Sequence, residues 1–367
     1  MGNFFNIVAS LMMGTLFIAQ TAFSVETVTL LDRGEPYAAM VAQKGIFWVG
    51  HSRKQFASEY RVEVYSPEGK LIDKLSLTHS ISSMKKVASD TVVMTGINPT
   101  AQLTEYTFAK LENGKIRAKT TRIALGGFIN FWIGSANGKH YFADMGGNPN
   151  DTNTDFNLPA QTIFSSSGSM ANYLSTRVRM PIAGTVHNGK LLLVSGEAIG
   201  SPKGKIVEVD PQTQQMRVLF TSQNGNLGTL DVIPGTQDVM TNARGENKLI
   251  VFDSVTGQTR REIPTQGYSR SFDFTGHCVV VGNDENNSIE VFDLKSQDNK
   301  SVINEKITLP STEFSGIKQI AVDDSTGIVF ARSSLPCNPM MEVCDKDINR
   351  VVTFGAELGN SIRTLCH

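Results

Sequence analysis

The chain has 367 residues with a formal net charge of −1, 40% hydrophobic and 19% charged residues. That is ordinary globular composition, with enough apolar material for a large core. A near-zero net charge without a basic stripe argues against nucleic acid as a main partner.

The first 24 residues differ from the rest. Ile7 to Ala19 is an apolar run (IVASLMMGTLFIA), and Ala22-Phe23-Ser24 puts small residues at the −3 and −1 positions of a cleavage site before Val25. This pattern predicts a secretory signal peptide over residues 1–24, although the n-region carries no Lys or Arg. A run of 13 residues is short against the roughly 20 needed to span a bilayer. The mature chain, residues 25–367, is thus expected to be one domain without a membrane span, periplasmic or secreted.

Along the mature chain a strand, a Gly or polar turn and a very apolar strand recur. Copies are AAMVAQKGIFWVGH at 38–51, TLDVIPGTQDVMTN at 229–242, SRSFDFTGHCVVVGN at 269–283 and IKQIAVDDSTGIVFARS at 317–333. More diverged copies end near Gly96, Asp144 and Gly196. The apolar strands end near residues 50, 96, 144, 196, 242, 282 and 332, which are 40 to 52 residues apart. A second unit follows several copies: NKLIVFDSVTGQTRREIP at 247–264, NNSIEVFD at 286–293 and NRVVTFGAELGNSIRTLC at 349–366. Period-2 alternation closed by Gly, Asn and Asp is a strand-and-hairpin signature. No stretch of the mature chain sustains helical periodicity for a dozen residues.

The units at 240–295 resemble two consecutive repeats of the Tyr-Val-Thr-Asn (YVTN) type of β-propeller. The matching positions are Met240-Thr241-Asn242 and Val281-Gly282-Asn283, with Asp253 and Asp293 closing the next strands. The likeness is fair over 315–366 and loose before residue 200. It implies a propeller fold and little about activity, since fold does not fix function; the seven recurring units themselves predict an all-β, seven-bladed propeller of four-stranded antiparallel blades. Thr27–Leu31 and Ser361–Leu365 both read as outer strands competing to complete the last blade.

In such a ring the loops after second strands emerge on one face. His51, Asp144, Glu197, Asn242, Arg244, Asn283, Asp284 and Arg332 are therefore the candidate ligand-binding residues, against the alternative that loop tips are polar because they face water. Lys85, Asp231, Arg270 and Lys318 are expected to line the channel as inner-strand residues. The long segments 144–161 and 332–348 should overhang the same face.

Asp151, Asn153, Asp155 and Asn157 place oxygen donors alternately, as a weak Ca²⁺ site needs. Phe156 and Thr162 occupy positions where a calcium loop carries Gly and Glu, so affinity would be at best about 10⁻⁴ to 10⁻³ M. An Asn/Asp-rich turn accounts for the same residues. No other cofactor is expected. Cys337 and Cys344 share one short loop (CNPMMEVC), which favours a local disulfide. Cys278 opens an apolar strand and reads as a buried thiol, and Cys366 is left open.

Catalytic patterns are weak. The six histidines are scattered, and no HExxH or G-x-S-x-G element occurs. The sequence therefore reads as an exported binding or protein-interaction module whose partner is an extracytoplasmic protein, a glycan or a small polar ligand. The alternative is a propeller lactonase-like enzyme, although the early His-Pro-rich elements of that family are missing. A dehydrogenase-associated propeller is a third reading; Trp48 and Trp132 show no partner pattern for it.

Overall fold

The computed structural model describes residues 27–33, 37–51, 60–123, 130–144, 151, 158–196, 204–223, 226–306, 316–334, 349–354 and 356–367. Strand β1 (Thr27–Arg33) comes first. Blade 1 follows with β2 (Tyr37–Gln43), β3 (Ile46–His51), β4 (Tyr60–Tyr65) and β5 (Leu71–Leu77). Blade 2 holds β6 (Ser83–Ala88), β7 (Thr91–Asn98), β8 (Leu103–Glu112) and β9 (Lys115–Ile123). Blade 3 holds β10 (Asn130–Ala136), β11 (Lys139–Asp144), β12 (Ile163–Ser167) and β13 (Met170–Tyr173). Blade 4 holds β14 (Pro181–His187), β15 (Lys190–Ser195), β16 (Lys205–Val209) and β17 (Met216–Thr221). Blade 5 holds β18 (Leu227–Val232), β19 (Asp238–Ala243), β20 (Lys248–Asp253) and β21 (Thr259–Pro264). Blade 6 holds β22 (Ser269–Thr275), β23 (Cys278–Asn283), β24 (Ser288–Asp293) and β25 (Ile303–Lys306). Then come β26 (Ile317–Val322), β27 (Val329–Ser334), β28 (Asn349–Phe354) and helix α1 (Ala356–Cys366).

Each of the six numbered blades is an antiparallel sheet of four consecutive strands. A seventh sheet is composite, in the order β26-β27-β28-β1, with its outer strand from the other end of the chain. The first strands β2, β6, β10, β14, β18, β22 and β26 neighbour one another in that order, and β26 returns to β2. The sheets therefore close into a β-propeller.

The apolar second strands follow from this arrangement. Every residue of β23 is buried. Val279 and Val281 enter the core shared with blade 5, and Cys278 and Val280 enter the core shared with β26 and β27. Alternate side chains of one strand thus feed two different inter-blade cores, and both faces must be apolar. At the closing seam Phe47 stacks on Phe330, ring centroids 4.4 Å apart.

Local chemistry sets the turns. Asn137-Gly138 and Asn188-Gly189 hold positive φ at both central positions, as a tight hairpin requires. At the outer hairpin of blade 5, Asp253 Oδ1 accepts the N–H groups of Val255 (2.9 Å) and Thr256 (2.8 Å). Asp210 does the same for Gln212 and Thr213 in blade 4. The Asp that closes each such strand is a turn cap.

Two expectations are corrected at the C-terminus. Ser361–Leu365 is not an outer strand: it lies in α1, and β1 alone takes the edge of the last sheet. The helix has 11 residues, with Leu358, Ile362 and Cys366 buried at i, i+4 and i+8. That stripe is helical but shorter than the window that would have exposed it, and the alternation in SIRTL imitates a strand. Cys278 is not a free thiol: it is bonded to Cys366, with Cα atoms 5.4 Å apart. The helix sets this up by laying Cys366 against the β22–β23 turn, where its carbonyl accepts the His277 N–H at 3.0 Å. Cys337 and Cys344 lie outside the described residues.

The bridge closes a loop of 88 residues, which restricts the unfolded chain by about 4–5 kcal/mol in the chain-entropy account. Cys366→Ala is expected to lower the urea midpoint clearly. The difference from wild type should vanish in dithiothreitol; a gap that persists would assign the loss to helix packing.

Candidate functional site

Antiparallel pairing places the start of each first strand beside the end of its second strand: Tyr37 pairs with His51, Asn130 with Asp144, and Ser269 with Asn283. The residues expected at a shared face therefore begin from comparable positions. Their side chains then take two different directions.

Four of them turn into the blades. His51 Nε2 lies 2.7 Å from Glu63 Oε2, both buried. Asn283 Nδ2 donates to Glu290 Oε2 at 2.7 Å. Asp144 accepts the Tyr173 hydroxyl at 2.8 Å, and Asn242 Nδ2 donates to the Ser269 carbonyl at 2.6 Å. These are interior fastenings rather than loop-tip groups. Two of the four share one geometry with Asn98. His51, Asn98 and Asn283 each end a second strand opposite Arg61, Leu103 and Ser288. Each reaches the buried glutamate two residues further along the third strand: Glu63, Glu105 or Glu290. Burial pushes the Glu63 carboxyl up, but hydrogen bonds from His51, Tyr65 and Arg61 outweigh it and hold it at about 2. Glu105 is likewise lowered: burial opposes, and Thr78, Arg122 and Asn98 prevail.

The other described members converge on the axis. Arg244 and Arg332 line a cavity of about 340 Å³ together with Arg270, Lys318, Lys85 and Asp231, the four residues expected to line the channel being among them. Asp284 stands beside it and binds Lys318 Nζ through both oxygens, at 2.5 and 2.7 Å. Gly228 makes room for Arg244: a Cβ there would lie 2.4 Å from Arg244 Nε. Burial, then the charge of Arg270, lowers Arg332 to about 10 and lowers Arg244 in the same direction. Three guanidinium groups are thus held together against their mutual repulsion.

Lys86 and Asp273 are lining residues that the sequence did not single out. Lys86 Nζ donates to Asp273 Oδ2 at 3.0 Å and to the Val322 carbonyl at 3.2 Å. The partners are 187 and 236 residues away, so only the closed ring reveals them. Glu197, Asn153, Asp155 and Asn157 lie outside the described residues. Asp151 accepts the Gln161 N–H at 3.1 Å and pairs with Arg177. Among the described residues no group of three or more His, Cys, Asp or Glu side chains is arranged to hold a metal ion.

No protein-family model matches the chain, and no curated protein matches its sequence. Among solved structures it is similar to Raptor of Chaetomium thermophilum, at 10% identity and a TM-score of 0.58, over 89% of this chain and 29% of that one. It is also similar to Hsv2 of Kluyvelomyces marxianus (11% identity, TM-score 0.48, 87% and 97% of the two chains). A KlHsv2 form with loop 6CD replaced by a Gly-Ser linker gives 11% identity and a TM-score of 0.49, over 86% and 96%. The Raptor likeness shows the propeller fold and nothing of activity, and this chain spans less than a third of Raptor's length.

The lowered Glu63 carboxyl makes a pH test. A depressed carboxylate stabilises the fold fully above its unfolded value near 4.5 and loses that contribution as pH falls through about 2. Glu63→Gln is expected to cost on the order of 2–3 kcal/mol at neutral pH. Urea midpoints of wild type and variant should converge as pH is lowered through that window. A gap independent of pH would mean that shape, not charge, is what Glu63 supplies.

Proposed function

We propose that the protein is an exported binding module of YVTN-like repeats that holds its ligand at the mouth of the central channel. The observation that carries this is convergence: Arg244, Arg270, Lys318 and Arg332 come from three sheets onto one cavity. Charged groups gathered at a ring axis fit recognition of a polar ligand or of a charged segment of a partner protein. An enzyme of the lactonase type would need an acid–base pair free to move protons. The lining instead offers groups already engaged, Lys86 with Asp273 and, beside the mouth, Lys318 with Asp284. Export is supported by the apolar run and small-residue cleavage pattern of residues 1–24.

Two measurements test this. Mass spectrometry of the full chain expressed in a secreting host should find a mature N-terminus at Val25; a retained leader in a cytoplasmic product would reject export. A thermal-shift screen of polar small molecules and glycans should give hits that disappear in Arg244→Gln/Arg332→Gln. Hits that persist in a folded double variant would move the binding site away from the channel mouth.

A further inference from the structure

Among the described residues, the charges at the channel do not balance. Six cations line the cavity, Lys85, Lys86, Arg244, Arg270, Lys318 and Arg332, against the carboxylates of Asp231 and Asp273. Counting Asp284 beside the mouth still leaves a surplus of three positive charges, in a chain whose net charge is −1. The carboxylates are also occupied. Asp273 Oδ2 receives Lys86 at 3.0 Å and the Val322 N–H at 2.9 Å, and its Oδ1 receives the Phe274 N–H at 2.9 Å. Asp284 grips Lys318 with both oxygens and stands 3.9 Å from Arg270. Asp231 Oδ1 accepts from Thr185 Oγ1 at 3.2 Å and from the Val232 N–H at 2.9 Å.

Lys85 and Arg244 hydrogen-bond neutral groups among the described residues. Lys85 donates to the Gly184 carbonyl at 2.9 Å and sits 6.0 Å from the Trp132 ring centroid. Arg244 Nη2 donates to the Arg270 carbonyl at 3.4 Å, and the guanidinium also hydrogen-bonds Tyr268. Arg270 is partly exposed, and like charges gathered around it favour an opposite charge joining them. Guanidinium groups present planar pairs of N–H donors matched to carboxylate and phosphate oxygens. The wall also carries carbon surface from Phe272, Ile320 and Met84. The cavity, about 340 Å³, falls in the range of roughly 300–1,000 Å³ usual for small-molecule sites.

We infer that the channel mouth binds a compact organic oxyanion with two or more negative charges, a polycarboxylate or a phosphate monoester. This rests on the binding-module reading and names its ligand class. A singly charged ligand would leave most of the surplus in place. An inorganic ion would leave the apolar wall without a function.

Isothermal titration with citrate in one arm and glycerol 3-phosphate in the other tests it and separates the two sources. One arm should show saturable single-site binding with a Kd of about 1 mM or tighter at roughly physiological salt, weakening as salt is raised. Arg270→Gln should weaken that binding at least about tenfold, with circular dichroism confirming the fold. Lys85→Gln, which removes the cation over Trp132, should weaken it as well and serves if the first variant does not fold. Featureless titrations in both arms overturn the inference, as does saturable binding indifferent to both substitutions. Binding of an acidic peptide or a neutral glycan at the mouth, with neither small anion bound, would overturn the ligand class while leaving the binding-module reading intact.

Discussion

A second strand with apolar side chains on both faces can be buried only if a sheet lies on either side of it. That requirement organises the whole molecule. A linear row of such sheets would leave two apolar faces in water, so the row must return on itself. The return is made at the seam where Phe47 and Val49 of one end meet Phe330 of the other. Backbone pairing seals it, with β1 laid antiparallel on β28 and covering an edge that would otherwise recruit another chain.

Closure is also what creates the site. Lys85, Asp231, Arg270 and Lys318 sit on four different first strands, and nothing brings them together except their shared position around the axis. The glutamate fastenings act one level below. By tying the end of a second strand to the third, His51–Glu63, Asn98–Glu105 and Asn283–Glu290 hold the rim from within the blade.

Much of the fold was legible in the sequence because its signals are local. Alternation, Asn-Gly hairpins and the Asp that caps each outer turn are read within a few residues, and the doubly buried second strands appear as unbroken runs such as CVVV. The inner-strand residues of the channel were legible for the same reason, since a first strand is recognised by the hairpin that follows it. What was misread depends on distant partners. His51 and Asn283 looked like loop-tip ligands, because a strand end does not disclose that a glutamate waits two places past its cross-strand partner. Cys278 looked like an isolated hydrophobe because its partner is 88 residues away on a helix too short to announce itself. Lys86 and Asp273 belong together only in the closed ring.

The placement of β1 has a consequence for how the chain is made. It is the earliest described strand to leave the ribosome, yet its partner β28 is the latest strand. Through nearly all of synthesis, then, this segment has no native mate, and the apolar face that will meet Phe330 stands open beside it. A nascent chain in this state carries the same exposed edge and bare sheet that make incomplete β proteins associate with one another. Every product that stops short of residue 349 inherits that condition permanently. The full-length molecule escapes it only when its last sheet arrives to receive its first strand.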